Sequence, residues 1–198
     1  MRWMDRLLRD VSLTESSDQL TFINRELAQA RTTTVIATLG PERNRIVTRF
    51  LRNLRLTQSP NSILREADLA AAKVAGAFLQ GADLREADLR DANLSRAYLV
   101  DANLANADLE EANLIRAWLI KADLDRADLD GADLGRAHLS EANLSEVNMN
   151  EANLEADLSN AREWIDDQLR AAWSLEGATM PNGQKYEDWL KSKGSGEE

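Results

Sequence analysis

Between Leu64 and Leu154 an apolar residue recurs every five positions, nineteen times without a gap; it is Leu throughout except at Val74 and Met149. Two residues before it stands Ala, from Ala67 to Ala152, with Ser62 and Val147 as the departures. The gaps between apolar positions therefore alternate between two and three, which corresponds to about 144° per residue, where a helix needs about 100° and a strand 180°. On a straight helix such a pattern carries Leu around the whole circumference. On a flat strand it flips each successive Leu to the opposite face. Both apolar positions stay inside only if the chain turns a corner in every repeat. The pattern predicts a mainly β solenoid wound around a column of Leu, each coil touching only its neighbours.

The residue just before the Leu sets the length of a coil. It is usually Asp or Asn, but at Phe78, Tyr98, Trp118 and His138 it is a ring, and these four lie twenty residues apart. Arg96, Arg116 and Arg136 keep the same spacing. Twenty residues make four repeats per coil, so nineteen repeats give nearly five coils, about 23 Å long at ~4.8 Å per coil.

Tandem Ala-(Asp/Asn)-Leu-x-x over half the chain resembles the pentapeptide-repeat family. That resemblance implies a right-handed quadrilateral β-helix, here of about five coils with N-terminal α-helices and a C-terminal helical cap. Outside the repeats, Leu39-Gly-Pro-Glu-Arg-Asn-Arg with Arg49-Phe-Leu is similar to a helical segment that precedes the repeats in some members. The stretch from Gln168 to Gly183 is similar to an ending found among cyanobacterial members.

The expected organisation is a helical N-terminal segment at 1–60, the β-helix at 61–160, a helical cap at 161–190 and a disordered tail at 191–198. In the first segment Trp3, Leu7, Leu8 and Val11 fall on one helical face, as do Leu20, Ile23, Leu27 and Ala30. Gly40-Pro41 breaks the chain and opens a new helix, with Val47, Phe50, Leu51 and Leu54 as its apolar stripe. Residues 58–61 read as a linker. At the far end the repeat spacing falls to four at Leu154–Leu158. Trp164, Ile165, Leu169 and Trp173 then form a stripe expected to cover the open end of the column, and Tyr186, Trp189 and Leu190 a last apolar face.

Four sides follow from the coil length. One carries the acidic ladder Asp68, Asp88, Asp108 and Asp128. A second carries Asp83, Asn103, Asp123 and Asn143, a third Lys73, Asn93, Asn113, Asp133 and Asn153. The fourth carries the rings, with Val100 and Ile120 beside them, and the Arg96–Arg116–Arg136 column runs along its corner with the third. Most Asp and Asn are expected to bond the backbone at tight turns. The rings call for another account, because a contiguous apolar patch is not ordinary surface. Three readings stay open: the N-terminal helices cover it, it binds a partner or a second copy, or it is a stacking ladder without a role.

Charge adds a contrast. The net charge is −10, and the chain is uneven: residues 1–60 hold ten Arg against six acids, residues 61–158 nine basic residues against twenty acids, and the remainder five against eight. The N-terminal segment either docks on the acidic body or is ordinary surface; an Arg-rich helix is also a candidate for an anionic surface. There is no Cys, so thiol chemistry is excluded. The first residues do not read as a signal peptide, and no apolar run approaches the roughly 20 residues of a membrane span. A cytoplasmic protein is expected.

Catalytic motifs are missing: no phosphate-binding Gly loop, no H-E-x-x-H, no Gly-x-Ser-x-Gly. Asp123, Asp125, Asp128 and Asp130 fail the EF-hand template, where Ala127 stands at the fifth ligand position. His138 is the only His. No enzyme activity, cofactor or metal is expected. The expected function is a protein-interaction scaffold whose partner is another protein or a second copy, read through the aromatic side and its Arg column. The alternative, implied by the resemblance, is a DNA-mimicking binder of a topoisomerase such as gyrase, read through the acidic ladder. Direct nucleic-acid binding is disfavoured.

Overall fold

A computed structural model describes residues 18–53, 56–58 and 62–194, with side-chain surroundings described from Leu27 onward. The stripe Trp3–Val11, the side chains of Leu20 and Ile23, Leu54, residues 59–61 and the last four residues lie outside the described part.

The repeat region forms by a single local device. In the turn Leu104–Ala107 the Ala107 N–H donates to the Leu104 carbonyl at 3.0 Å, and Asn106 has φ 57°. The same left-handed corner recurs every five residues from Glu66 to Glu151, on Glu, Asp, Asn, Arg, Lys and Ala as well as on Gly76, Gly81 and Gly131. A left-handed residue turns the chain sharply enough that the next Ala and Leu point inward again. None of these eighteen corners carries a β-branched or aromatic residue, whose bulk at Cβ resists positive φ.

Coils are joined by parallel single-residue bridges, each between residues twenty apart: Asp68↔Asp88↔Asp108↔Asp128, Lys73↔Asn93↔Asn113↔Asp133, Phe78↔Tyr98↔Trp118↔His138 and Asp83↔Asn103↔Asp123↔Asn143. We call these the acidic, Asn, aromatic and mixed sides; the chain visits acidic, Asn, aromatic and mixed in turn. The four columns are those expected. The β content is thinner than "mainly β" implies, since every link is an isolated bridge and not a strand. A chain that turns a corner every five residues leaves one bridge residue per side, flanked by bonds such as Leu104 N–H to Asp123 O (2.7 Å) and Asn103 N–H to Ala82 O (2.8 Å). Inside, every Ala and Leu of the rhythm from Ala67 to Leu154 is buried to within a few per cent, so the column is filled.

At the N-terminal end α1 (Asp18–Thr38) and α2 (Pro41–Asn53) stand in for a preceding coil. The first coil has backbone groups that would bond upward to a coil that does not exist. Gln29 Nε2 donates to Arg65 O (2.8 Å), Asn44 Nδ2 to Lys73 O (2.8 Å), Phe78 N–H to Thr48 Oγ1 (3.1 Å) and Asp83 N–H to Thr57 O (2.7 Å). The open sheet edge is thereby satisfied. Ala28, Thr32 and Ile36 form the buried face of α1, joined by Val47 and Leu51 of α2. This corrects the stripe expected through Leu27 and Ala30, of which Leu27 is 40% exposed and Ala30 is exposed. The small residues at 28 and 32 let the helix lie close to the column end.

After Leu154 the bridges shift, to His138↔Asp157 and Asn143↔Arg162, in step with the shortened repeat. α3 (Asp166–Ala171) takes the acidic side's place beneath the last coil. Its Gln168 accepts from Ile165 N–H and donates to the carbonyls of Leu144 and Val147. Leu169, Leu175, Ala178, Met180 and Trp189 seal the column. The expected sealing stripe is only partly right: Leu169 is buried, but Ile165 and Trp173 are 60% and 77% exposed. α4 (Tyr186–Gly194) extends four residues into the stretch expected to be a disordered tail.

Candidate functional site

On three sides the bridge residue has a backbone task. Asp68, Asp88, Asp108 and Asp128 each accept from the N–H two residues on, at 3.0–3.2 Å. Asn93, Asn103, Asn113 and Asn143 do the same. In the last full coil Asn also bridges upward, Asn143 to Asp123, Asn148 to Asp128 and Asn153 to Asp133, all within 2.8–3.0 Å. The Asp/Asn preference is thus a turn requirement, as expected.

The acidic ladder is further tied down by cations. Arg90 grips Asp88 through two nitrogens (3.0 and 2.6 Å) and reaches Asp108 at 3.4 Å. The charge-assisted hydrogen bonds from Arg90 hold the Asp88 carboxyl below its ordinary range against the opposing effect of burial. On the mixed side Arg85 grips Asp83 in the same way (2.8 and 2.7 Å), lowering its pKa too. Asp83 is only 4% exposed. This gripped, buried acid was not singled out from the sequence, although an Arg two residues after an Asp in the turn position is its signal.

The aromatic side is built differently. Phe, Tyr and Trp carry no acceptor that replaces the Asp or Asn oxygen at this turn, and none of the described residues accepts from the N–H groups of Gln80, Val100, Ile120 or Ser140. The rings stack along the rod: Phe78 on Tyr98 at 5.2 Å and 8°, Tyr98 on Trp118 at 6.5 Å and 5°, Trp118 on His138 at 4.4 Å and 21°. Stacking consumes the electron-rich ring faces, so solvent meets mainly the electropositive edges. Trp118 is 40% exposed, while Val100 and Ile120 are half-buried beside it.

The described N-terminal helices reach only the first ring. Arg45 and Arg52 lie over Phe78 at 5.6 and 5.9 Å, and Arg52 also bonds Gln80 at 2.8 Å. The described residues from 27 to 53 and 56 to 58 do not extend over Tyr98, Trp118 or His138, because the helices sit on the end of the column and not along its flank.

Arg96, Arg116 and Arg136 stand exposed at left-handed corners, φ 57°, 57° and 60°. Arg65, Arg85, Arg90 and Arg126 are all paired with carboxylates. The corner column has no such partner among the described residues. With Tyr98, Trp118 and His138 it lines a shallow groove of about 400 Å³. On the Asn side of the same corner a hollow of about 580 Å³ runs past Ile115 and Gly135 up to Glu42 and Arg45. The corner therefore offers hydrogen-bond donors and positive charge on an otherwise acidic rod. Among the described residues no group of three or more His, Cys, Asp or Glu is placed to hold a metal ion, and no helix is long and apolar enough to cross a membrane.

A filled column with all its variation on the outside defines a β-helical repeat protein. The family model for pentapeptide repeats matches in eight copies across residues 62–99, 87–126, 97–136 and 119–162. The chain belongs to the pentapeptide-repeat family, which forms a right-handed β-helix. Among solved structures it is similar to a pentapeptide repeat protein, Rfr23, from the cyanobacterium Cyanothece 51142, with 28% identity over 58% of this chain and 64% of that one, TM-score 0.39. It is similar to HetL, a pentapeptide repeat protein involved in heterocyst differentiation regulation from Nostoc sp. strain PCC 7120, at 32% identity over 62% and 69%, TM-score 0.25. A trypsin-treated form of QnrB1, a plasmid-mediated fluoroquinolone resistance protein, matches at 25% identity over 68% of each chain, TM-score 0.43. The chain spans about two thirds of the length of these proteins. No curated protein matches it.

Proposed function

We propose that this protein is a non-catalytic interaction module, and that its contact surface is the aromatic side with its Arg edge. The observation that carries the reading is the unpaired Arg96–Arg116–Arg136 column beside the edge-on ring stack. Elsewhere in the described repeat region the Asp and Asn at the bridge positions are spent on turns, and four of the other Arg on ion pairs. Exposed ring edges, free backbone N–H groups and guanidinium groups form one donor-rich strip. A partner with acidic and carbonyl groups complements it. Site-specific photocrosslinking in the native cell tests this. A crosslinker at Ile120 should give adducts with another protein, reduced by Trp118→Ala, and the same group at Ser145 on the mixed side should give none. Equal adducts from both positions would refute the assignment.

The architecture behind this proposal is a right-handed quadrilateral helix of about five coils, in a chain divided at residues 60 and 160 into helical segment, β-helix and cap. Limited proteolysis should cut at those boundaries first. A cytoplasmic location belongs to the same proposal, and cell fractionation checks it.

A second reading, a topoisomerase binder that imitates duplex DNA, draws on the acidity of the repeat region. The sharing of Arg90 by Asp88 and Asp108 favours the first reading, since it neutralises part of the ladder. Gyrase supercoiling with and without a quinolone decides it: neither inhibition nor protection would end this second reading.

A further inference from the structure

The Asn side lies between two left-handed corners of opposite charge. Entering the side, the charged corner residues are Asp91, Glu111 and Glu151; leaving it they are Arg96, Arg116 and Arg136, five residues after positions 91, 111 and 131. None of the six has a salt-bridge partner among the described residues, so both edges are available. Glycine interrupts each edge once, at Gly76 in the Arg edge and Gly131 in the acidic edge, and the acidic edge begins uncharged at Ala71. A Cβ at Gly76 would meet Arg45 Cδ at 3.3 Å, and a Cβ at Gly131 would meet Glu111 Cδ at 2.9 Å. Arg45 therefore overlies the gap in the Arg edge, and Glu111 the gap in the acidic edge. The Arg edge is thus charged from Arg96 to Arg136, with Arg45 above it paired to Glu42 at 3.8 Å, and the acidic edge is charged from Asp91 to Glu151. Between the edges runs the outward column Lys73, Asn93, Asn113, Asp133 and Asn153; beside it Ala75, Ser95 and Gly135 are small, with Ile115 the one apolar bulge and Glu155 in the last coil.

We propose that the Asn side is a self-association surface whose occupant is a second copy of this chain, in a parallel pair with its two-fold axis along the rod. Rotation by 180° about such an axis, lying in the contact plane, leaves every coil at its own height and exchanges the two edges. The Arg edge of each copy then faces the acidic edge of the other, and the two contacts are equivalent, as a closed dimer requires. Arg116 meets the edge at the level of Glu111, displaced by a quarter of a coil, about 1.2 Å at ~4.8 Å per coil. An axis perpendicular to the rod would set Arg against Arg. The matched rise is what favours a second copy over another acidic partner, because both columns are ruled by the same coil spacing.

The contact spans about four coils, roughly 19 Å. Its area is on the order of 300–400 Å² per copy, under half of the ~800 Å² per partner of a standard interface. The dimer is accordingly weak and held by charge, with dissociation constants of tens of micromolar or above. This inference shares the Arg96–Arg116–Arg136 column with the aromatic-side proposal but does not use the ring edges, and its failure would leave that proposal standing.

Sedimentation velocity on the full chain, from 5 to 300 µM at low and high salt, is the test. The wild type should associate with concentration, roughly tenfold more weakly at about 0.5 M salt, where the screening length falls to a few ångströms. R96E/R116E/R136E presents two acidic edges, and D91R/E111R/E151R two basic ones. Each should be monomeric alone, and the two mixed at low salt should form a 1:1 heterodimer. Circular dichroism checks folding. Both residue types already occupy such corners here, at Glu86 and Arg126, and the single pair R116E with E111R serves if a triple variant fails to fold. A wild type monomeric throughout, association that persists in both triple variants, or two variants that ignore each other would each overturn the proposal.

Discussion

Asn44 is the residue through which the N-terminal helices should prove to be a substitute coil. It is fully buried, and its Nδ2 donates to Ile36 O at 2.9 Å, to Leu39 O at 3.2 Å and to Lys73 O at 2.8 Å. One amide thus ties the end of α1 to the first coil. Asn44→Ala removes the donor and leaves the Ile36 and Lys73 carbonyls without a partner in a site closed to water. A buried polar group so orphaned costs about 1–3 kcal/mol, so two cost roughly 2–4 kcal/mol with some relief from relaxation. In a solenoid that loss should stay local, because each coil is coupled only to its neighbours. Hydrogen exchange followed by mass spectrometry reads it directly. Peptides from residues 62–81 and α2 should lose protection by one to three orders of magnitude, at about 1.4 kcal/mol per tenfold. Peptides from 102–121 should be unchanged. Unchanged protection in the first coil would show that the contact does not hold the cap, and a uniform loss would refute the local-coupling argument.

The left-handed corners predict a second asymmetry: Lys121→Val, putting a β-branched residue at φ 60°, should cost about 1–2 kcal/mol, while Lys121→Gly should be near neutral, both by thermal denaturation. Asp83 has a depressed pKa, so the stability it contributes is present above its unfolded value of about 3.9 and is lost as pH falls through the lower folded value. Asp83→Asn keeps the turn and should flatten the stability profile below about pH 4 in urea titrations at stepped pH. Leu114→Ala, at 0% exposure in the middle of the column, should cost about 2–5 kcal/mol in the same unfolding assay.

The four columns could be read before any coordinates because two independent features share one period. The inward Ala and Leu repeat every five residues, and the rings and Arg every twenty, so their ratio sets four repeats to the coil. The caps were less legible. Their buried faces use Ala28, Thr32, Asn44 and Thr48, small or polar residues chosen to bond a sheet edge, and a search for apolar stripes passes over them in favour of Leu27. Ile165 and Trp173 mislead in the opposite sense, since both fall on the right helical face of a helix that is only six residues long and leave the column before and after it. At the candidate site the positions of Phe78, Tyr98, Trp118 and His138 followed from the period. The ring orientation and the lack of partners for the Arg column did not, because both depend on how side chains settle around the corner and not on the period.

The recurrence of one coil spacing on every side also limits how such a surface can recognise anything. Inward positions are fixed by the column, turn positions by the backbone N–H they accept, and corners by positive φ, which admits Arg, Lys, Glu and Asp but not branched side chains. What remains free is a set of columns, each presenting similar groups at the same rise. Recognition by such a surface is multivalent: a partner meets Arg96, Arg116 and Arg136, or the rings of Tyr98, Trp118 and His138, as one array. Exposed single charges contribute little, about 0–1 kcal/mol each, but contacts made by one rigid array act together because the first contact places the others. Single substitutions in a column should therefore weaken binding only a few-fold and whole-column substitutions abolish it, as no other column of the described rod carries three unpaired Arg at that spacing.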